Sequence, residues 1–188
     1  RETPSLLAEV GLRGVRFDEV KIDKPLVDDS HPFLTLDMDK CIKCARCVRV
    51  CDEIQGSFIL AMEGRGPDHK VIAGNDTGLA EAKCASCGAC AVECPVAAIV
   101  DKGTEQAGLP EEVVKTTCAY CAVGCGLDVH VRDDQVLRIE PSKEGSANRG
   151  HTCVKGRFAH EYARSKDRLT SPLMKDDQGR FQEVSWDT

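Results

Sequence analysis

The sequence predicts a small α+β fold made of short strands and short helices. Apolar runs of strand length recur at residues 57–62, 71–73 and 97–100, and an alternating pattern follows at 127–131. Apolar residues make up only 41% of the chain, whereas 12 of its 188 residues are cysteine. Small cysteine-rich folds supplement a limited core with disulfides or bound metal. The organisation of the fold therefore depends on whether the cysteines form disulfides or bind metal.

Residues 1–40 are predicted to be an N-terminal connector. Leu6, Leu7 and Val10 have the spacing of one helix face, and Gly11 is a stop signal. A loop rich in Asp and Pro follows and contains His31. Because no cysteine lies near His31 in the sequence, we expect it to cap or pack rather than to bind metal.

Residues 41–100 contain an internal repeat, which predicts one domain made of two similar halves. Each copy has the spacing C-x2-C-x2-C-x3-C. The first copy consists of Cys41, Cys44, Cys47 and Cys51, and the second of Cys84, Cys87, Cys90 and Cys94. The 32 residues between Cys51 and Cys84 predict an insertion between the halves.

This spacing resembles the ligand run of bacterial ferredoxins, which holds [4Fe–4S] clusters. Two-residue gaps let backbone amides turn towards the cluster, and the fourth cysteine leads away from the loop. In two-cluster ferredoxins the fourth cysteine of each run ligates the other cluster. The resemblance therefore implies that Cys41, Cys44, Cys47 and Cys94 hold one cluster, and that Cys84, Cys87, Cys90 and Cys51 hold a second.

Zinc ribbons and disulfides are the alternatives for these eight cysteines. Two complete runs in tandem favour clusters over zinc, and cysteines at two-residue spacing cannot all pair as disulfides without strain. Pro95 follows the second run as the ferredoxin pattern prefers, but Asp52 stands in the corresponding place after the first. This departure leaves the ligands intact and is expected to alter the start of the following segment.

Residues 101–111 are predicted to be a linker, and residues 112–188 a second small domain. A hairpin is expected at 127–139, with its turn at Asp133 and Asp134, and a charged helix at 157–168. A third cysteine set lies here: Cys118, Cys121, Cys125 and, after 27 further residues, Cys153. Spacing alone leaves zinc and an iron–sulfur cluster open for this set.

Charge and hydropathy exclude several classes of partner. Residues 1–117 carry the whole net charge of −6, which argues against a nucleic-acid partner. No apolar stretch is long enough for a membrane span. Because the chain begins at Arg1 and closes on a strand end followed by a helix N-cap pattern, we expect it to be a segment of a longer polypeptide.

The sequence around the third cysteine set resembles the N-terminal [4Fe–4S] domain of molybdopterin oxidoreductases. The resemblance is carried by Thr117–Gly126 and Asn148–Phe158, and by the tail stretches Arg168–Leu173 and Phe181–Asp187. With the tandem runs upstream, the chain is similar to the catalytic (alpha) subunit of cytoplasmic, NAD-linked formate dehydrogenases. This implies a third [4Fe–4S] cluster on Cys118, Cys121, Cys125 and Cys153.

The same resemblance implies roles for three basic residues. A lysine two residues past the last cluster cysteine lies between cluster and pterin in that family, and Lys155 holds this position. Arg149 and Arg157 are candidates for contact with cofactor phosphates. The Mo or W ion, bound by two pterin guanine dinucleotides, takes its ligands from downstream sequence in the family, so this segment alone is not expected to oxidise formate.

The sequence thus predicts an electron-transfer segment of a formate dehydrogenase-type enzyme. Electrons would pass through three [4Fe–4S] clusters to flavin- and iron–sulfur-containing partner subunits, and then to NAD or ferredoxin. One alternative is a relay subunit of an NADH dehydrogenase or hydrogenase complex with a vestigial molybdopterin domain. The other is a stand-alone polyferredoxin carrier.

Overall fold

The computed structural model describes residues 6, 8–11 and 27–188 of the chain. Near the N-terminus, the Val10 amide donates to the Leu6 carbonyl at 3.1 Å, and Gly11 has a φ of +66°. A left-handed glycine is a common helix stop because it has no Cβ to clash. The predicted helical turn and its stop are therefore confirmed for the described residues, while Leu7 lies outside them.

Most elements of the described chain are only two to seven residues long. The strands are β1 (Val27–Asp28), β2 (Leu34–Asp37), β3 (Leu60–Glu63), β4 (Lys70–Ala73), β5 (Ile99–Asp101), β6 (Glu112–Thr117), β7 (Gly126–Arg132), β8 (Gln135–Pro141), β9 (Leu173–Lys175) and β10 (Phe181–Glu183). The α-helices are α1 (Arg46–Arg49), α2 (Ala89–Glu93), α3 (Lys102–Ala107) and α4 (Val154–Phe158). A π-helical segment, Val50–Ile54, continues α1 directly. None of the described helices combines the length and apolar character that a bilayer span requires.

Strand β2 joins the two ends of the cysteine repeat. It pairs antiparallel with β5, with Leu34 opposite Asp101 and Leu36 opposite Ile99, and β1 adds to its other edge. Leu34 and Ile99 are almost fully buried. The predicted connector therefore ends earlier than residue 41, because Leu34–Asp37 completes the sheet that closes the repeat.

The stretch between the two cysteine runs contains a β-hairpin. Strands β3 and β4 pair antiparallel, with Leu60 opposite Ala73 and Met62 opposite Val71. Leu60, Val71 and Ala73 are buried in the same core as the sheet residues of β2 and β5. The hairpin therefore anchors the long connection between the runs to the core.

The second half is built on a three-stranded antiparallel sheet in the order β6-β7-β8. The predicted hairpin is confirmed, and Asp133 and Asp134 at its turn have φ values of 51° and 57°. Two consecutive positive φ angles match the twist of a tight hairpin turn. Strand β6 is exposed at every position and its sequence has no alternating pattern of apolar residues. For this reason the strand was not predicted from the sequence.

Two further expectations for this half were wrong in detail. The predicted linker 101–111 contains α3, whose first turn is capped by the Asp101 carboxylate accepting from the Thr104 amide at 3.0 Å. The charged stretch 157–168 is not one helix: α4 ends at Phe158, and a separate 3₁₀ turn covers Glu161–Arg164. Composition alone predicted neither the Asp101 cap of α3 nor the end of α4 at Phe158.

The chain divides into two compact units at residue 158, and the predicted domain boundary at residues 101–111 stays a prediction. The first extends to Phe158 and includes both the cysteine repeat and the third cysteine set. The second, Ala159–Thr188, contains the β9–β10 hairpin, whose turn is held by the Asp176 carboxylate accepting from the Gln178 and Arg180 amides.

Candidate iron–sulfur sites

The two cysteine runs adopt the same backbone conformation. Lys43 and Ser86 are equivalent in the repeat, have φ values of 56° and 55°, and donate their amides to Cys41 Sγ and Cys84 Sγ at 3.3 and 3.4 Å. The next equivalent pair, Ala45 and Gly88, is also left-handed. These turns direct backbone N–H groups at the sulfurs, as the spacing predicted.

The cysteines meet in a crossed arrangement. One cavity is lined by Cys41, Cys44 and Cys47 of the first run together with Cys94 of the second. A second cavity is lined by Cys84, Cys87 and Cys90 together with Cys51 of the first run. The ferredoxin resemblance groups the cysteines in the same way, and their role as cluster ligands stays a prediction.

Burial controls the protonation of these thiols. It raises the pKa of Cys47 to about 12, and the neighbouring thiol of Cys41 acts in the same direction. Burial likewise raises the pKa of Cys90, Cys87 and Cys84. Such thiols ionise only when a cation replaces their protons, so metal binding and deprotonation are coupled.

The third cysteine set lies at one end of the β6-β7-β8 sheet. Cys118 follows β6 and Cys125 precedes β7, and the Cys118 amide donates to the Cys125 carbonyl at 2.8 Å to close the loop between them. Cys153 lies directly before α4. Burial and, to a smaller extent, the charges of Cys118, Cys121 and Cys153 raise the pKa of Cys125, so the four thiols are electrostatic neighbours.

Cys153 differs from the buried thiols. The backbone N–H groups of Gly156 and Lys155 donate to it and lower its pKa, because they stabilise a thiolate. Close packing explains why a glycine occupies position 156. A Cβ there would lie 2.5 Å from Thr152 Oγ1 and 3.5 Å from Cys118 Sγ. The absence of a side chain lets α4 approach the cysteine loop.

The three predicted basic residues have different environments. Lys155 and Arg149 are exposed, with Lys155 in the turn that follows Cys153 and Arg149 at a left-handed position in the preceding loop. Their contacts with a pterin cofactor stay predictions. Arg157 is instead 4% exposed and forms an ion pair with Asp101, with Nη2 and Oδ2 3.2 Å apart.

Asn148 is a positioning residue that was not identified from the sequence. Asn148 accepts from the Gly126 amide at 2.8 Å and donates to the carbonyls of Gly126 and His151, which ties the loop before Cys153 to the end of the other cysteine loop.

His31 accepts from the amides of Phe33 and Leu34 through Nδ1, so the expectation that it caps is confirmed. Its Nε2 lies 3.0 Å from Ser86 Oγ, inside the second cysteine run, and no sequence pattern indicated that contact.

The donor sets fit iron–sulfur clusters. Each quartet consists of thiols alone, the donors that such clusters require. Among residues 6, 8–11 and 27–188, no three His, Cys, Asp or Glu side chains are arranged to hold one metal ion. The cysteines of the first two quartets each line one cavity.

Comparison with protein families gives two matches. Residues 31–100 match the ferredoxin-like domain of NADH-quinone oxidoreductase subunit 3, and residues 111–165 match the molybdopterin oxidoreductase Fe4S4 domain. The first match begins before residue 41, in agreement with the position of β2.

Several curated proteins are similar to nearly the whole chain. The probable oxidoreductase YjgC of Bacillus subtilis is 31% identical to this chain. The alignment is 219 residues long and covers 95% of this chain and 22% of that protein. The putative formate dehydrogenase SH0748 of Staphylococcus haemolyticus is 33% identical, over 87% of this chain and 21% of that protein. The chain thus spans about a fifth of the length of the curated relatives it matches.

Among solved structures, an NAD⁺-reducing [NiFe]-hydrogenase in its H₂-reduced state matches with 29% identity and a TM-score of 0.40. The match covers 53% of this chain and 42% of the hydrogenase chain.

Proposed function

We propose that this chain, which joins a ferredoxin-like domain to the Fe4S4 domain of molybdopterin oxidoreductases, conducts electrons through three [4Fe–4S] clusters as the N-terminal part of a formate dehydrogenase-type enzyme. The observation that carries the proposal is the crossed pair of four-cysteine cavities, followed in the same compact unit by a third four-cysteine set. Each set has the composition of a cluster site, and none of the twelve cysteines is left over.

The clusters would act as a one-electron chain. Oxidation of formate to CO₂ releases two electrons and one proton, and a [4Fe–4S] cluster accepts one electron at a time. The reaction itself would take place at a Mo or W site with pterin guanine dinucleotides, held by sequence outside this chain. Lys155, exposed beside Cys153, is our first candidate for contact with that cofactor, and Arg149 is a second.

The proposed electron-transfer function also implies partner subunits. Electrons leaving the ferredoxin-like half would pass to subunits that contain flavin and further iron–sulfur clusters, and then to NAD. A cytoplasmic enzyme is proposed, because the relatives are named as formate dehydrogenases and oxidoreductases and because reduced cysteines persist in a reducing compartment.

A second candidate is a relay subunit of an NADH dehydrogenase or hydrogenase complex. The match of residues 31–100 to an NADH-quinone oxidoreductase domain favours it. The two candidates differ in metal content, because only the formate dehydrogenase needs Mo or W. Metal analysis of the full-length protein, combined with a formate-dependent dye reduction assay, separates them.

The cluster assignment is tested by analysis of the anaerobically purified full-length protein. We expect roughly twelve iron and twelve sulfide ions in the part of the protein that this chain represents, from three four-iron clusters. A Cys121→Ser/Cys153→Ser variant should lose about four of each and one EPR signal. Stoichiometric zinc that disappears in this double variant would show that the third site is not a cluster.

A further inference from the structure

Arg157 connects the third cysteine set to the second. It lies in α4, which starts directly after Cys153, and its side chain reaches the second cysteine run. There the guanidinium is ion-paired with Asp101 and packs over Gly88, which lies between Cys87 and Cys90. Its exposed fraction is only 4%, so the charge is held out of water.

The glycine at position 88 indicates that this approach is specific. A Cβ built there would lie 2.6 Å from Arg157 Nε and 2.7 Å from its Cδ. The equivalent residue of the first run is Ala45, which adopts the same left-handed conformation, with φ 58° against 72° for Gly88. The loop backbone therefore tolerates alanine, and it is the arginine that requires the space at residue 88.

The guanidinium has donors left over after its ion pair. Nη2 contacts Asp101, but Nε and Nη1 are buried without an acceptor among the described residues. Unpaired buried donors of a cation are costly, because a charged group loses its hydration without compensation. Both belong to the side chain that packs on the Cys87–Cys90 loop.

We propose that Arg157, buried against the Cys87–Cys90 loop, stabilises the reduced form of the cluster held by Cys51, Cys84, Cys87 and Cys90 and so raises its reduction potential. The inference rests on the proposed function, since it requires that cluster to be present. When the second cluster takes one electron from the third, its negative charge increases by one, and the adjacent cation stabilises the reduced form. Arginine keeps its proton throughout, so the step moves an electron alone.

The test is an EPR-monitored redox titration of the full-length enzyme with four variants. Arg157→Gln is combined with Asp101→Asn, because removing one partner of a buried ion pair leaves the other charge uncompensated. Gly88→Ala keeps both charges but displaces the guanidinium. Arg157→Lys keeps the charge without the forked donors. Arg65→Gln, on the exposed turn between β3 and β4, controls for the removal of an arginine that lies outside the cysteine sets.

We expect the second cluster's midpoint to become more negative in Arg157→Gln/Asp101→Asn and in Gly88→Ala, by a smaller amount in Arg157→Lys, and not in Arg65→Gln. The second cluster is identified as the signal perturbed by Cys87→Ser. If the double variant loses this cluster, the midpoints of Gly88→Ala and Arg157→Lys test the role of Arg157. An unchanged midpoint in these two, with wild-type iron content, would overturn the role of Arg157 and leave the three clusters standing. Absence of the clusters from the wild-type protein would overturn the proposed function instead.

Discussion

His31 is an example of a single residue whose protonation state the fold determines. It is 3% exposed, and its Nδ1 accepts hydrogen bonds from the amides of Phe33 and Leu34. Because Nδ1 is an acceptor, the neutral ring carries its proton on Nε2, which donates to Ser86 Oγ. Burial and, to a smaller extent, the Lys102 charge lower the pKa of His31, while Asp28 opposes the shift.

We predict that His31 makes the stability of the ferredoxin-like half depend on pH. Its pKa is lowered in the folded state, so the unfolded chain, with a pKa of about 6.5, takes up the proton first. The free energy of unfolding should therefore fall as the pH decreases from about 6.5 towards the folded pKa. Anaerobic urea unfolding followed by circular dichroism at several pH values measures this slope.

The informative comparison is between two histidine variants. His31→Gln retains an acceptor for the Phe33 and Leu34 amides but cannot titrate, so its unfolding midpoint should fall less on acidification. His69→Gln controls for the loss of a histidine on the turn between β3 and β4. Equal slopes for the wild type and His31→Gln would show that His31 does not contribute.

At the scale of elements, the two copies of the repeat differ after their fourth cysteine. Cys94 precedes Pro95, and it leaves α2 in an extended conformation with φ −74° and ψ 113°. Proline disfavours the helical region for the residue before it, which explains this exit. Asp52 takes the corresponding place in the first copy, and there the chain continues from α1 through the π-helical segment Val50–Ile54.

We predict that Asp52→Pro destabilises the first copy. Proline removes a backbone donor and clashes with the preceding turn, which costs about 3 kcal/mol inside a helix. Asp52→Ala removes the same carboxylate and keeps the N–H, so it isolates the backbone effect. The free energies of unfolding of both variants should differ by about that amount in anaerobic urea titrations. A Pro variant as stable as the Ala variant would mean that the continuous helical segment is not required.

At the scale of the whole molecule, the cysteines are part of the core. Cys47, Cys90 and Cys94 are buried in the same cluster of side chains as Leu34 and Ile99. Because each cavity takes its fourth cysteine from the other run, the two halves of the repeat cannot be completed separately. Folding of this domain and cluster insertion should therefore be one process.

The crossing predicts which EPR signal each cysteine variant affects. Cys94→Ser should perturb the same signal as Cys44→Ser, although Cys94 belongs to the second run. Cys90→Ser, only four residues away from Cys94, should perturb the other signal. If Cys94→Ser and Cys90→Ser altered the same signal, each run would hold its own cluster and the crossed assignment would be wrong.

Local sequence accounts for the features that depend on short spacing. The cysteine loops and the β7–β8 hairpin both follow from patterns within one short stretch of sequence. The same reasoning placed His31 in a structural rather than a ligand role. It did not identify β6, which has no alternating pattern, or α3, whose cap depends on Asp101 at the end of a buried strand.

The sequence by itself determined the donor chemistry of this protein, because cysteine spacing limits which thiols can share a loop. Only the tertiary structure decided that β2 closes the repeat, that the chain divides after Phe158, and that Arg157 lies against Gly88 rather than at the surface. Those features join residues far apart in the chain, such as Asp101 and Arg157. Their burial and pairing depend on packing between elements, which no local pattern encodes.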